Sequence, residues 1–99
     1  MTNENDEKLE KLVRFIVRRC SSKIMDSKRI PIGEYQMMCN VKDDHVPYWN
    51  IIYTYIFKDD IRIFYGSYYV DHGTESSLSI DIKEGYEEEL INLADKVLK

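Results

Sequence analysis

Most residue patterns that carry catalytic or ligand-binding chemistry are absent from this sequence. Its four glycines stand singly at positions 33, 66, 73 and 85, so it has no glycine-rich phosphate loop. Its two cysteines lack the paired spacing of a zinc site, and without a secretory signal they do not form a disulfide framework. No apolar run approaches the length of a membrane span. We therefore expect no cofactor, no metal ion and no membrane association.

The few reactive side chains have simple structural explanations. Cys39, His45 and His72 could supply three zinc ligands, but their spacing matches no zinc motif. Cys39 lies on an apolar strand face, where a thiol acts as a small buried hydrophobe. The pairs Asp43-Asp44 and Asp59-Asp60 stand at chain reversals, which aspartate favours and which suit acid–base catalysis poorly. We predict no catalytic residue and no enzymatic activity.

Length and composition indicate one globular domain over residues 1–99. The chain is 43% hydrophobic and 32% charged, with a net charge of −4. This mild negative charge disfavours general nucleic-acid binding. The polar, acidic N-terminus has no signal peptide, so we expect a cytoplasmic protein. Abundant charge with a single glutamine fits the composition of hyperthermophile proteins and favours a thermostable chain.

A β-hairpin at residues 49–70 is the element around which the fold is organised. Two runs of aromatic and β-branched residues meet at Lys58-Asp59-Asp60. A two-residue turn would pair Phe57 with Arg62, whereas a three-residue loop would pair Phe57 with Ile61. We favour the three-residue loop, because it gathers most of the large apolar groups on one face.

Both faces of this hairpin are apolar, so one layer of helices cannot cover it. Along the two strands, side chains alternate between the faces, and the second face carries Ile52, Ile56, Phe64 and Tyr68. We expect these four residues to mediate self-association as a homodimer, because one patch then covers its own copy. Long loops folded over this face, or another partner, are the alternatives.

The remaining elements predict an α+β fold with the order α-β-β-β-β-α. Apolar residues at three- and four-residue spacing predict helices over residues 5–25 and 85–98. Alternation predicts strands over residues 33–41 and 77–83, on either side of the hairpin. With short connections, the simplest arrangement is a four-stranded antiparallel meander sheet flanked by an N-terminal and a C-terminal helix.

The first helix carries a basic face with an aromatic residue within it. This candidate partner-binding set consists of Lys11, Arg14, Phe15, Arg18 and Arg19. At about 100° per residue, Phe15 lies more than a right angle from the apolar stripe. The alternative interpretation is a solvated basic face, with Phe15 packed under a loop or in a contact between molecules. Residues 1–29 carry a net charge of +3 and residues 30–99 a net charge of −7.

The layout resembles that of the small α/β proteins of archaeal lipothrixviruses and rudiviruses, the filamentous and rod-shaped viruses. The resemblance spans the chain. It is carried by the helix KLEKLVRFIV at residues 8–17, the pair IIYTYIFKDDIRIFY at residues 51–65, and the acidic closing helix. It implies a viral protein from a hot, acidic setting. A few such proteins inhibit host CRISPR effectors and bind as dimers, but none of their inhibitory residues can be placed on this sequence.

Two classes of function follow. We expect a small, non-enzymatic interaction protein whose protein partner is unknown, as a viral accessory factor or an inhibitor of a host protein. The alternative is a nucleic-acid-binding module that uses the basic face of the first helix, with Phe15 available for stacking.

Overall fold

The computed structural model describes residues 4–20, 28–43, 49–71 and 74–98. Its helices and strands, in chain order, are α1 (Glu4–Cys20), β1 (Ile30–Ile32), β2 (Tyr35–Asp43), β3 (Trp49–Lys58), β4 (Ile61–Asp71), β5 (Thr74–Ile82) and α2 (Glu87–Val97). The predicted α+β class is confirmed, with an antiparallel sheet between an N-terminal and a C-terminal helix. The predicted number of four strands is wrong, because the described residues form a five-stranded sheet in the order β1-β2-β3-β4-β5.

The additional strand, β1, pairs with β2 across a two-residue turn at Gly33 and Glu34. Gly33 has a φ of 63°, a left-handed conformation that glycine adopts without a steric penalty. Pro31 lies opposite Gln36 in this ladder. A proline cannot donate a ladder hydrogen bond, so in the sequence it argues against a strand. At the edge of a sheet, which is where β1 lies, proline is tolerated.

The central hairpin closes with a two-residue turn, so the predicted three-residue loop is wrong. Lys58 lies opposite Ile61, and Phe57 lies opposite Arg62. Within the turn Asp59 has a φ of 55°, a left-handed conformation that aspartate adopts more readily than most residues.

A β-bulge next to this turn changes which hairpin residues share a face. The register shifts between Ile56 and Phe57, so that Ile56 lies opposite Phe64 and Ile63 has no direct partner on β3. The two consecutive residues Ile63 and Phe64 are both buried, which strict alternation would not allow. The bulge thus gathers apolar groups on one face. This is the effect for which the sequence favours a three-residue loop.

The strands at the other end of the sheet extend beyond their predicted limits. β4 continues to Asp71 and β5 begins at Thr74, whereas the predicted strands end at residue 70 and begin at residue 77. Their backbones pair there, with Asp71 opposite Thr74. The predicted part of the first helix at residues 21–25 lies outside the described residues, as do residues 44–48 between β2 and β3.

Both helices lie on one face of the sheet and enclose the apolar core with it. The predicted helical stripes are confirmed over the described residues, since most of their members are buried and Val17, Tyr86 and Val97 are half-buried against the same core. The core contains Leu9, Leu12, Val13, Ile16 and Cys20 of α1, Leu90, Leu93 and Ala94 of α2, and Met37, Cys39, Ile56, Ile63 and Phe64 of the sheet.

Gly66 of β4 allows α1 to approach the sheet closely. A Cβ atom at this position would lie 2.7 Å from Thr54 Oγ1 and 3.0 Å from Val13 Cγ2. The buried Thr54 hydroxyl donates a hydrogen bond of 3.1 Å to the Gly66 carbonyl oxygen. The contact between helix and sheet therefore depends on the absence of a side chain here.

We predict that Gly66→Ala destabilises the fold by about 1–3 kcal/mol, because the added methyl group overpacks this contact. The measurement is the urea midpoint of unfolding. Glu84→Ala is the control, because Glu84 is exposed in the turn between β5 and α2, and it should change the free energy of unfolding by less than about 0.5 kcal/mol. An unchanged midpoint for Gly66→Ala would contradict the close approach.

Candidate functional site

The sheet face opposite the helices carries a row of aromatic side chains. Because Thr54 and Ile56 are buried beneath the helices, their neighbours along β3 point to the other side. We call this surface the aromatic face, and its central residues, all half-buried, are Ile51, Tyr53, Tyr55, Phe57, Tyr65 and Tyr69. Neither helix packs on it.

Four of these rings form a continuous row across β3 and β4. Tyr65 lies between Tyr53 and Tyr55, with ring centroids 5.8 Å and 5.5 Å away, and Phe57 continues the row 6.2 Å beyond Tyr55. These separations are in the range of favourable aromatic pairs. Burial raises the pKa of the Tyr65 hydroxyl, and the neighbouring tyrosines raise it further. Tyr65 thus presents a neutral ring with a polar tip at the centre of the row.

Two arginines flank the row near the hairpin turn. The Arg29 guanidinium lies 4.0 Å from the centroid of the Phe57 ring and forms a 3.2 Å ion pair with Asp60. The Arg62 guanidinium lies 5.5 Å from the Tyr65 ring centroid. Both contacts have the geometry of a cation–π interaction.

The neighbouring strands complete the aromatic face with mostly neutral side chains. The outward-pointing described residues of β2, β4 and β5 are Gln36, Met38, Asn40, Ser67, Ser79 and Asp81. Aromatic residues, methionine and arginine are enriched in protein interfaces, and this face carries all three. Its rings and the arginines beside them are therefore suited to contact with another protein.

Three of the four residues predicted to mediate self-association lie on the helical side of the sheet, so their placement is corrected. Ile56 and Phe64 are 0% and 1% exposed beneath the helices. Ile52 is half-buried and packs against the same core. The side chain of Tyr68 lies outside the described part of the chain. The bulge and the position of the helices decided which face is covered.

A second surface feature is an open groove between α1 and α2, on the helical side of the molecule. It has a volume of about 700 Å³. We call it the basic groove, and it is lined by Lys8, Lys11, Arg14 and Arg18 of α1 and by Ala94, Asp95 and Leu98 of α2. The Lys8 ammonium of α1 lies 2.9 Å from the Asp95 carboxylate of α2, and this ion pair connects the two walls of the groove. This hydrogen bond is the main reason that the pKa of Lys8 lies above its ordinary value.

The structure separates the predicted partner-binding set into two parts. Lys11, Arg14 and Arg18 line the basic groove, whereas Arg19 is exposed outside its lining. Phe15 is half-buried and packs against the core, so it does not stand free among the cations. The sequence does not predict the groove residues on α2, because only the packing of the two helices brings them next to α1.

Both cysteines are buried, as predicted. The Cys39 thiol donates a 3.7 Å hydrogen bond to the Ile16 carbonyl oxygen of α1. Burial raises the pKa of this thiol far above its ordinary value, and Cys20 nearby adds to the shift. A thiol that stays protonated is a poor nucleophile and a poor metal ligand, so this pair acts in packing.

A polar cluster that we did not predict joins α2 to the turn end of the sheet. The Lys58 ammonium donates a 2.6 Å hydrogen bond to Glu89 Oε1, and the Tyr35 hydroxyl donates to the same oxygen at 3.1 Å. The hydrogen bond from Lys58 lowers the pKa of Glu89. The pKa of Lys58 is raised chiefly by the same bond, and that of Tyr35 chiefly by burial. Each of the three pKa values is shifted further from neutral pH, so the cluster is suited to holding α2 in place and not to proton transfer.

The described residues contain no group of three or more histidine, cysteine, aspartate or glutamate side chains placed to hold a metal ion. His45 and His72 lie outside the described residues. The described helices also lack the combined length and hydropathy that a bilayer-crossing segment requires.

Comparison with known proteins adds no relative. No protein-family model, no curated protein and no solved structure matches this chain.

We predict that Glu89 contributes to the pH dependence of stability. Its pKa is lower in the folded than in the unfolded chain, so the contribution is complete above the ordinary value of 4.5 and is lost as the pH falls through the folded value. In Glu89→Gln, the urea midpoint should be lower at neutral pH and should fall less steeply on acidification. Glu88→Gln, which changes an exposed neighbour, is the control. Equal acid slopes for the wild-type chain and Glu89→Gln would contradict the assignment.

Proposed function

We propose that this chain is a non-enzymatic interaction protein, and that the aromatic face pairs with a second copy to form a homodimer. The observation that carries the proposal is the aromatic face itself. Its large half-buried rings form a continuous row with Arg29 and Arg62 beside it, and no described segment covers them. A contiguous apolar patch of this kind marks an interaction site in a soluble protein.

The size of the aromatic face supports a dimer. Strands β2 to β5 contain nine to eleven residues each. At about 4.8 Å between strands and about 3.3 Å per residue, they cover about 600 Å². A specific interface removes about 600–1,000 Å² from each partner. The face is therefore large enough for a stable pair, and β1 with its neighbouring Arg29 adds to it.

The charges of the aromatic face also suit contact with a copy of itself. Among the described side chains of this face, the two positive charges of Arg29 and Arg62 are matched in number by the negative charges of Asp60 and Asp81. The β1 edge of the sheet is less suited to association. β1 is only three residues long and contains Pro31, which discourages the addition of another strand.

The polar groups of the described residues support a non-enzymatic role. Catalytic acids and bases require pKa values near the working pH. In the Lys58–Glu89–Tyr35 cluster the pKa values move away from neutrality, and the Cys39 thiol is held protonated. Combined with the resemblance to archaeal viral proteins, this leads us to propose an accessory factor that acts in the host cytoplasm by binding and inhibiting a host protein.

We predict that light scattering at micromolar concentration gives twice the mass of the 11.8 kDa chain. Tyr65→Glu should yield a folded monomer, because it places a charge at the centre of the ring row. The matched control is Ile61→Glu, on the same strand, where the wild-type side chain is already 47% exposed. This variant should remain dimeric.

A mass of one chain for the wild type would refute the homodimer. In that case the remaining alternatives are that loops of the same chain, or a different protein partner, cover the aromatic face. Circular dichroism spectra of both variants establish that any loss of mass reflects dissociation and not unfolding.

We predict a thermal midpoint above about 90 °C, the usual threshold of hyperstability. The reason is the proposed hot setting together with the charge-rich, glutamine-poor composition. Scanning calorimetry provides the measurement. A midpoint in the mesophile range of about 45–65 °C would remove the support for an archaeal viral origin while leaving the fold unaffected.

A further inference from the structure

The basic groove concentrates positive charge on a chain that is acidic as a whole. Its lining contains four cations and one carboxylate, a net charge of +3, whereas the chain carries −4. The cations occur on α1 at positions 8, 11, 14 and 18, a three- and four-residue spacing that aligns them along one side of the helix. From the first to the last they extend over about 15 Å, nearly three helical turns.

The other wall of the groove presents one apolar side chain. Leu98 is half-buried, whereas Ala94, one turn earlier on α2, is fully buried. A groove between two helices that exposes an apolar side chain can accept the apolar stripe of a third helix, which is a common mode of peptide recognition. The cations would then face the polar side of that helix, so its charge must be negative.

The lining favours an acidic protein segment over nucleic acid. Among the lining residues none is aromatic, so a base entering the groove finds no ring on which to stack. Phe15, the expected stacking residue, packs against the core.

We propose that the basic groove binds an acidic, amphipathic helix of a partner protein. Glutamates or aspartates at three- and four-residue spacing contact Lys11, Arg14 and Arg18, and an apolar residue of the same helix packs on Leu98. This inference rests on the proposed function only in that the chain acts by binding another protein. It does not require the homodimer, because the groove and the aromatic face lie on opposite sides of the sheet.

The test is a fluorescence-anisotropy titration with a labelled synthetic helical peptide of about five turns. The peptide carries glutamate at every third or fourth position and leucines on the adjacent stripe. We expect saturable binding at low salt that weakens as ionic strength rises. A peptide with lysine in place of each glutamate should not bind. No saturable binding of the acidic peptide up to about 1 mM would overturn the proposal.

Three variants test whether the peptide binds in the groove. We expect one to lower the affinity, one to raise it and one to leave it unchanged. Lys11→Glu should weaken binding by about tenfold, because it replaces an attraction with a repulsion. Asp95→Asn should strengthen it, because it removes the groove carboxylate and releases Lys8. Arg19→Glu is the matched control, with the same change of charge on an exposed residue of the same helix outside the lining, and it should alter affinity by less than about twofold. Equal losses for Lys11→Glu and Arg19→Glu would overturn the assignment.

Two further measurements separate the alternatives. Single- and double-stranded oligonucleotides should bind more weakly than the acidic peptide, and tighter, Lys11-dependent binding of either would replace the proposal with nucleic-acid recognition. The Tyr65→Glu variant should retain peptide binding whatever its mass. Binding without a dimer would refute the homodimer alone, whereas a dimer that does not bind the peptide would refute the groove proposal alone.

Discussion

The structure depends on one constraint, which is that two central strands carry large apolar side chains on both faces while the helices cover only one. The bulge between Ile56 and Phe57 determines how this conflict is resolved. It places Phe64 with Ile56 beneath the helices and leaves Tyr55 and Tyr65 on the other side. Burying each large apolar group on the helical side contributes roughly 1.5–3 kcal/mol, so the choice of the covered face is strongly determined.

The helices are held against the sheet at two places, by two different kinds of interaction. Near the middle of α1, the absence of a side chain at Gly66 lets Val13 approach the sheet. At the turn end, the hydrogen bonds that Lys58 and Tyr35 donate to Glu89 hold the beginning of α2 against β2 and β3. The first interaction depends on shape and the second on charge, and together they orient both helices on the same face.

This layering distributes two surfaces of different chemistry to opposite sides of the molecule. The aromatic face presents a row of aromatic rings, and the basic groove presents cations beside one apolar side chain. A dimer paired through its aromatic faces would carry two basic grooves pointing outward. A partner with two acidic helices, or a partner that is itself a dimer, could then be held at both ends, and its apparent affinity would rise without any new contact.

The sequence by itself determined the α+β class, the two helical stripes and the buried state of Cys39, because each rests on a local period or on the hydrophobicity of one residue. It also located the cations at Lys11, Arg14 and Arg18. Only the tertiary structure decided that Pro31 belongs to an edge strand, that Ile56 faces the core, and that Asp95 completes the groove. These features depend on a bulge and on contacts between residues far apart in the chain. The alternation within a single strand reveals neither the bulge nor these contacts, because one inserted residue exchanges the two faces of the strand.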